Sequence, residues 1–346
     1  MNPTEITAAD FPEIARFWSV QLRATNVNQE PDVLEMYLEW LGRNPWRSRE
    51  VPLGWVVRAD GQVAGIMLAL LHRFELNGQP VDAALCTQYY VAPEHRSLGT
   101  PIFLTFRALN QHFPIYVCGA SPTTAAMFRA IGAKAVFPST GYELLRVLDW
   151  GPVVEDRIMR RLPPSIARAG GAIARMLIPG RPSESASRLE PVTPEQAAAL
   201  PYPAPPDTLV LKRTAEYLQW RAASPFFSGG GYFRFRRDES ATDCALGLVL
   251  RPRGLKNTVT AVSLLDLWGT LGPRACLDLV AAIECEFRGR TDAIALKFLN
   301  PEQEEGFLAH GFRKRMFPAP TAFLVDKDGL FTKHEWRLTA SATDLI

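Results

Sequence analysis

The chain has 346 residues, 47% of them hydrophobic and 21% charged, which is ordinary globular composition at a length that favours two domains over one. Its 38 basic and 36 acidic residues leave a formal net charge of +2, so there is no global electrostatic attraction to nucleic acid and no acidic tail. Five cysteines, an odd number without a CxxC pair, suggest neither a disulfide framework nor a zinc site, and the start Met1-Asn2-Pro3-Thr4-Glu5 has no basic region leading into an apolar one, so a reducing cytoplasm is the expected setting.

In chain order, Ile6 to Asp10 reads as a short strand ending in a helix N-cap, with Asp10 accepting the first backbone donors of the helix. Phe11, Ile14, Phe17, Trp18 and Leu22 recur at helical spacing, and a second helix covers Pro31 to Leu41. Leu53 to Ala59 is β-prone, Asp60-Gly61 is a hairpin turn, Val63 to Phe74 returns as a strand, and Asn77-Gly78 turns the chain into Val81 to Val91. A polar loop, Pro93 to Pro101, then precedes a helix from Ile102 to His112. Ile115 to Cys118 is a short strand, Pro122 to Ala130 a helix closed by Gly132, and Tyr142 to Leu148 the last strand of the first half.

Residues 151–206 break this pattern. Pro179 to Pro206 is rich in Pro, Ala and Ser and reads as a connector. In Val153 to Ile178, apolar residues alternate with Arg157, Arg160, Arg161, Arg168 and Arg175. Two readings follow: a connector helix packed between the domains with its arginines in solvent, or an element lying on an anionic membrane surface. Pro163-Pro164 and Gly170-Gly171 are expected to interrupt it. From Leu209 the earlier order recurs, with a helix from Glu216 to Ala222, three strands between Gly231 and Leu267, a helix from Pro273 to Phe287, a strand from Ala293 to Phe298 and a helix from Pro301 to Ala309. Phe128 to Ala133 followed by Phe137-Pro138, and Phe307 to Phe312 followed by Phe317-Pro318, are one unit met twice, which fits duplication.

The segment that carries chemistry runs from Gln88 through Tyr90-Val91-Ala92-Pro93-Glu94-His95-Arg96-Ser97-Leu98-Gly99-Thr100 to Pro101. A strand ends, a glycine-containing loop follows, and a helix begins. Backbone N–H groups at a helix N-terminus favour an anion such as a pyrophosphate; Gly99 allows close approach and Arg96 adds charge. The segment resembles motif A of the GNAT acetyltransferase family, V-x-P-x-x-[RQ]-x-x-G-x-[GA], through Val91, Pro93, Arg96 and Gly99. Ser121 to Phe128 followed by Gly132 resembles the family's N-x-x-A-x-x-x-Y…G helix. The resemblance spans residues 4–148 and recurs more weakly over Asn300 to Phe312. Thr214 to Arg221 and Trp336 to Asp344 resemble segments of tandem GNAT-like proteins.

The resemblance implies an α+β fold of two GNAT-like domains, each a mixed, mostly antiparallel twisted sheet flanked by helices. Residues 1–150 would bind acyl-CoA, residues 151–206 would connect, and residues 207–346 would form a degenerate second domain shaping the substrate cleft. It implies acetyl-CoA or another acyl-CoA as co-substrate and the primary amine of a small molecule or amino sugar as acceptor. Tyr90 and Val91 would offer backbone groups to the pantetheine arm; Arg96, Ser97, Leu98, Gly99 and Thr100 would hold the pyrophosphate; Ser121 and Phe128 would line the site from the next helix. Three positions depart from the pattern. Pro101 has no N–H to give, Phe128 replaces the tyrosine that serves as general acid, and Ser121 replaces an asparagine.

A lysine-like amine is about 0.1% neutral at pH 7.4, a cost of roughly 4 kcal/mol, so a base or water chain is needed. Gln88, Tyr89, Asp82 and Tyr142 are the polar candidates on strands, with Glu94, His72 and His95 beside them, and none is singled out as catalytic. In the second half, Gly269 to Pro273 has glycines but no arginine at the right spacing. Tyr217, Trp220, Arg221 and Trp336 are substrate contacts or core, with core favoured. Two other functions fit the pairing of such folds: an inactive binding module, and an aminoacyl transferase of the peptidoglycan type, against which the near-neutral charge and the recognisable loop both argue.

Overall fold

The computed structural model describes residues 2–24, 29–136, 142–159, 162–177, 188–200, 206–227, 229–237, 244–253, 259–269, 271, 273–297, 299, 301–316, 322–327 and 329–337. The first half opens with β1 (Thr4–Glu5), α1 (Phe11–Ala24) and α2 (Pro31–Gly42). Asp10 does not cap α1; its carboxylate turns back to accept from Thr7 N–H at 2.8 Å and from Arg58 at 2.6 Å. A meander follows: β2 (Gly54–Ala59), β3 (Gln62–Leu76) and β4 (Gln79–Val91). Its two turns place Asp60-Gly61 and Asn77-Gly78 at positive φ in both residues, the twist that a two-residue hairpin needs. Next come α3 (Gly99–Ala108), β5 (Ile115–Val117), α4 (Pro122–Ala130), β6 (Lys134–Ala135) and β7 (Tyr142–Val147).

Of the expected connector, residues 178–187 and 201–205 lie outside the described residues, and the described ones form helices and a strand. α5 (Trp150–Met159) and α6 (Pro164–Leu177) form a helical hairpin, followed by β8 (Arg188–Val192) and α7 (Pro194–Ala198). Gly170 and Gly171 lie inside α6 and do not break it, contrary to the sequence expectation. The second half runs through β9 (Thr208–Leu211), α8 (Ala215–Ala222), β10 (Gly231–Arg236), β11 (Cys244–Arg253), β12 (Val259–Gly269), α9 (Pro273–Glu286), β13 (Ala293–Leu296), α10 (Pro301–Ala309) and β14 (Arg313–Met316). It ends in β15 (Phe323–Val325), α11 (Leu330–Lys333) and β16 (Glu335–Arg337).

Two mixed sheets result, and they exchange strands. The first has the order β1-β2-β3-β4-β5-β15-β6, with β9 beside β3 and β16 beside β9. The second has the order β14-β7-β13-β12-β11-β10-β8. β7, expected to end the first sheet, instead pairs with β13 and β14 of the second. In return β15 sits between β5 and β6 of the first. A strand of each half thus completes the other's sheet.

The helices that join the halves repeat the same residues. Tyr37-Leu38-Glu39-Trp40 of α2 and Tyr217-Leu218-Gln219-Trp220 of α8 are 180 positions apart. Trp40 and Trp220 stack with centroids 4.3 Å apart, and each indole N–H donates to the other residue's carbonyl, at 2.5 and 2.7 Å. Trp46 stacks on Tyr217 while Phe226, its counterpart 180 positions on, packs on Tyr37. This is a pseudo-two-fold contact. An open cleft of about 480 Å³ lies beside it, lined by Met36, Glu39 and Arg43 from one half and Glu216, Gln219 and Ala223 from the other. Tyr217, Trp220, Arg221 and Trp336 are all buried in this shared core.

Candidate functional site

The first sheet opens at β4. β4 pairs in parallel with β5 only through Ala84, Leu85 and Cys86. β5 then ends, and Gly119, at φ 77°, turns the chain away toward α4. Thr87 to Val91 run on with no strand on that side among the described residues. On its other side β4 keeps β3 through a bulge: Ile66 faces Tyr90 and Leu68 faces Thr87, so Gln88 and Tyr89 together oppose Met67. Gln88 sits at φ 49°, a conformation uncommon outside glycine. A bulge re-aims backbone groups, and this one does so at the mouth of the gap between β4 and β5.

Past Val91 the expected polar loop is a 3₁₀ turn, Pro93–Leu98, broken at His95 and running directly into α3. The helix therefore begins at Gly99, three residues before the expected start. Arg96, Ser97 and Thr100 are exposed there, and Leu98 is half-buried. The Gly99 N–H donates to the Arg96 carbonyl, so that amide is already engaged. Pro101 falls in the first helical turn, where no intrahelical N–H bond is lost. Gly99 has ordinary helical φ, and its need for glycine is spatial. A Cβ there would lie 2.4 Å from the Tyr89 hydroxyl oxygen and 3.4 Å from Val91 Cγ2. The space kept open by Gly99 is thus filled by a side chain, whereas the sequence reading kept it for a phosphate.

Tyr89 reaches from the bulge, beneath the first turn of α3, to α4, where its hydroxyl donates to Met127 Sδ at 3.8 Å. Burial, and next to it Cys86, raises its pKa, so the phenol keeps its proton at neutral pH. Tyr90 lies on the opposite face against Trp18, and Val91 pairs with Gly65. Ser121 caps α4 by accepting from Thr124 N–H at 3.2 Å. Phe128 is fully buried, edge-on to Phe103 and near Phe323 of β15, and presents no face to a ligand.

The candidate bases scatter. Asp82 is held by Arg73 through two bonds of 2.8 and 2.9 Å, at the far end of β4. Tyr142 is in the second sheet, donating to Glu304. Glu94 is exposed on the turn and His95 half-buried beside it. His72 is completely buried, its Nδ1 2.5 Å from the Tyr116 hydroxyl. Burial first, and then the charge of Arg221, lowers its pKa to about 3, so the imidazole is neutral. Among the described residues no group of His, Cys, Asp and Glu is arranged to hold a metal.

The second sheet repeats the opening with different contents. β12 pairs with β13 only through Ala261 to Ser263, and a bulge stands where Gly247 and Leu248 face Asp266 and Leu264. The Asp266 carboxylate accepts from the N–H of Leu267 at 3.0 Å and from Arg213 at 2.9 and 2.8 Å. Both side chains are buried, and Arg213 lies over the Trp268 ring. The backbone donor after this bulge is therefore satisfied internally. Thr270 and Gly272 of the expected turn lie outside the described residues. Sequence reasoning missed this ion pair and the Tyr-Leu-x-Trp repeat; aligning the two halves at an offset of 180 would have shown the repeat.

No family profile and no curated protein sequence matches the chain. Solved structures do. A conserved Enterococcus faecalis protein described as a probable N-acyltransferase superimposes with a TM-score of 0.56 at 10% identity, covering 93% of this chain and 71% of that one. A GCN5-related N-acetyltransferase from Anabaena variabilis gives 0.54 at 13% identity, covering 93% and 72%. Saccharomyces cerevisiae N-myristoyltransferase, solved with bound myristoyl-CoA, gives 0.55 at 12% identity, covering 93% and 77%. The chain has the two-domain GNAT-like fold of these N-acyltransferase structures.

Proposed function

We propose that the protein is an acyl-CoA-dependent N-acyltransferase that uses acetyl-CoA or another acyl-CoA to acylate the primary amine of a small molecule or amino sugar. The observation that carries this is the unpaired, bulged end of β4 leading into the start of α3. The open edge from Thr87 to Val91 suits an extended ligand whose amides alternate donors and acceptors, as the pantetheine arm's do, added like a further strand. Arg96 and the start of α3 supply charge and dipole for the pyrophosphate, with Ser97, Leu98 and Thr100 around them. In this reading, backbone at the Gln88–Tyr89 bulge polarises the thioester carbonyl. Attack of the neutral amine forms the C–N bond and breaks the C–S bond; the amine's proton leaves to water or a side chain, and the thiolate gains one. Phe128 cannot supply that proton, since it has none to give and is sealed in the core. Structural likeness to an N-myristoyltransferase holding myristoyl-CoA supports the acyl-CoA reading.

Titration calorimetry with CoA and acetyl-CoA tests it, followed by a panel of amines and amino sugars with detection of free thiol. Binding together with acceptor-dependent thiol release is expected. Absence of binding at millimolar ligand overturns the proposal. The buried Phe128 favours one second reading, an inactive binding protein, which predicts binding with no thiol release for any acceptor.

A further inference from the structure

α6 of the α5–α6 hairpin is packed inside out. The side of α6 against α5 is made of small residues: Ala167, Gly171 and Ala174 are buried. A Cβ at Gly170 would lie 2.4 Å from Ile158 Cδ1, and one at Gly171 2.8 Å from the Gly151 carbonyl oxygen. The glycines are there so that the two helices approach closely. The large apolar residues point outward, with Leu162 48%, Ile166 51%, Ile173 52% and Met176 73% exposed. Ile166, Ile173 and Met176, spaced seven and three apart, share one stripe of the helix, and Leu162 lies just before its start. A helix built for an aqueous surface does the reverse and buries its large apolar residues. Small residues at the helix contact and large ones outside is the arrangement used where the surroundings are lipid. The connector reading expected this face to pack between the domains, and the structure leaves it uncovered.

We propose that the outer face of this hairpin docks on an anionic lipid bilayer. From Val153 to Ile178 the sequence carries five arginines and no lysine, opposed only by Glu155, which is half-buried, and Asp156, which is buried. Arg157 and Arg168 are exposed. That charge matches an anionic lipid surface, and the apolar stripe matches the acyl boundary beneath it. The fourteen residues of α6 span about 21 Å at the helical rise. That is less than the roughly 30 Å of a hydrocarbon core, and no described helix is long and apolar enough to cross one, so the helix lies along the surface. A second copy of the chain fits worse. A stable interface uses about 20–30 residues a side, and this face has four large apolar ones, Leu162 included, with the exposed Arg157 and Arg168 near them.

The test is flotation of the full chain with vesicles of phosphatidylcholine alone and of phosphatidylcholine with phosphatidylglycerol, beside light scattering without lipid. The wild-type protein is expected to float with the anionic vesicles only, and to be released by high salt. Ile166→Ser with Ile173→Ser should lower the bound fraction at least tenfold, as should Arg157→Gln with Arg168→Gln. All four side chains are exposed, and unchanged melting of the variants confirms that they fold. The proposal is overturned if the wild type stays unbound, if either double variant binds as well as the wild type, or if the chain forms a dimer that Ile173→Ser dissolves. None of these outcomes depends on CoA binding or turnover.

Discussion

Gly99 and Tyr89 show how one position can be read two ways. The motif asks for glycine at 99, and the structure gives a packing reason: the Tyr89 oxygen occupies the space a methyl would need. Gly99→Ala should therefore destabilise the fold by about 1–3 kcal/mol, the usual cost of overpacking. Tyr89→Phe removes the obstructing oxygen and should recover most of that loss in the double variant, as measured by urea unfolding. Full additivity of the two changes would show that the contact does not set the requirement. His72 makes a second prediction. Its folded pKa is depressed to about 3 by burial and Arg221, so below the unfolded value near 6.5 the unfolded chain takes up a proton that the native chain refuses. The stability tied to the neutral ring is complete above pH 6.5 and is lost as pH falls toward 3, at about 1.4 kcal/mol per unit. His72→Asn should flatten the pH dependence of unfolding by about 2 kcal/mol between pH 6.5 and 5, with unchanged slopes above pH 7.

At the scale of elements, the two halves carry the same strand opening with different contents. In the first, the bulged end of β4 has an open edge. In the second, Asp266 spends its carboxylate on the Leu267 amide and on Arg213. Calorimetry should therefore give one CoA per chain. Asp266→Ala takes the carboxylate away from the buried Arg213, at a cost of about 3–5 kcal/mol, and should not create a second site. Two equivalents of CoA bound to the wild type would refute the asymmetry. The absence of an arginine before Gly269 hinted at this in the sequence, but the ion pair joins residues 53 positions apart and left no local signal.

For the whole molecule, the exchange of β7 and β15 predicts one folding unit. Residues 1–150 expressed alone lack β15, β9 and β16, which leaves β5 and β6 unpaired on one edge and removes the neighbour of β3 on the other. That fragment should be unfolded or aggregated by circular dichroism and size exclusion, and co-expression with residues 151–346 should recover a folded complex. The intact chain should unfold in a single transition with coincident probes. A fragment 1–150 that folds by itself would show the exchange to be dispensable.

Much was legible locally because it is decided locally. Asp60-Gly61 and Asn77-Gly78 demand positive φ, so the β2–β3–β4 meander was readable from its turns. Helical spacing gave α1 and α2, and the spacing of Val91, Pro93, Arg96 and Gly99 pointed to the strand–helix junction that forms the candidate site. Other features needed the tertiary structure. Strand periodicity tells which face of β7 is buried but not which sheet it joins, since backbone hydrogen bonds carry no sequence label. Phe128 matched a site motif by spacing, yet packing against Phe103 and Phe323 makes it core. Apolar periodicity in α6 located an apolar face without saying whether it was covered. Only the close approach of Gly170 to Ile158 showed that the small side faces the protein and the large side faces outward.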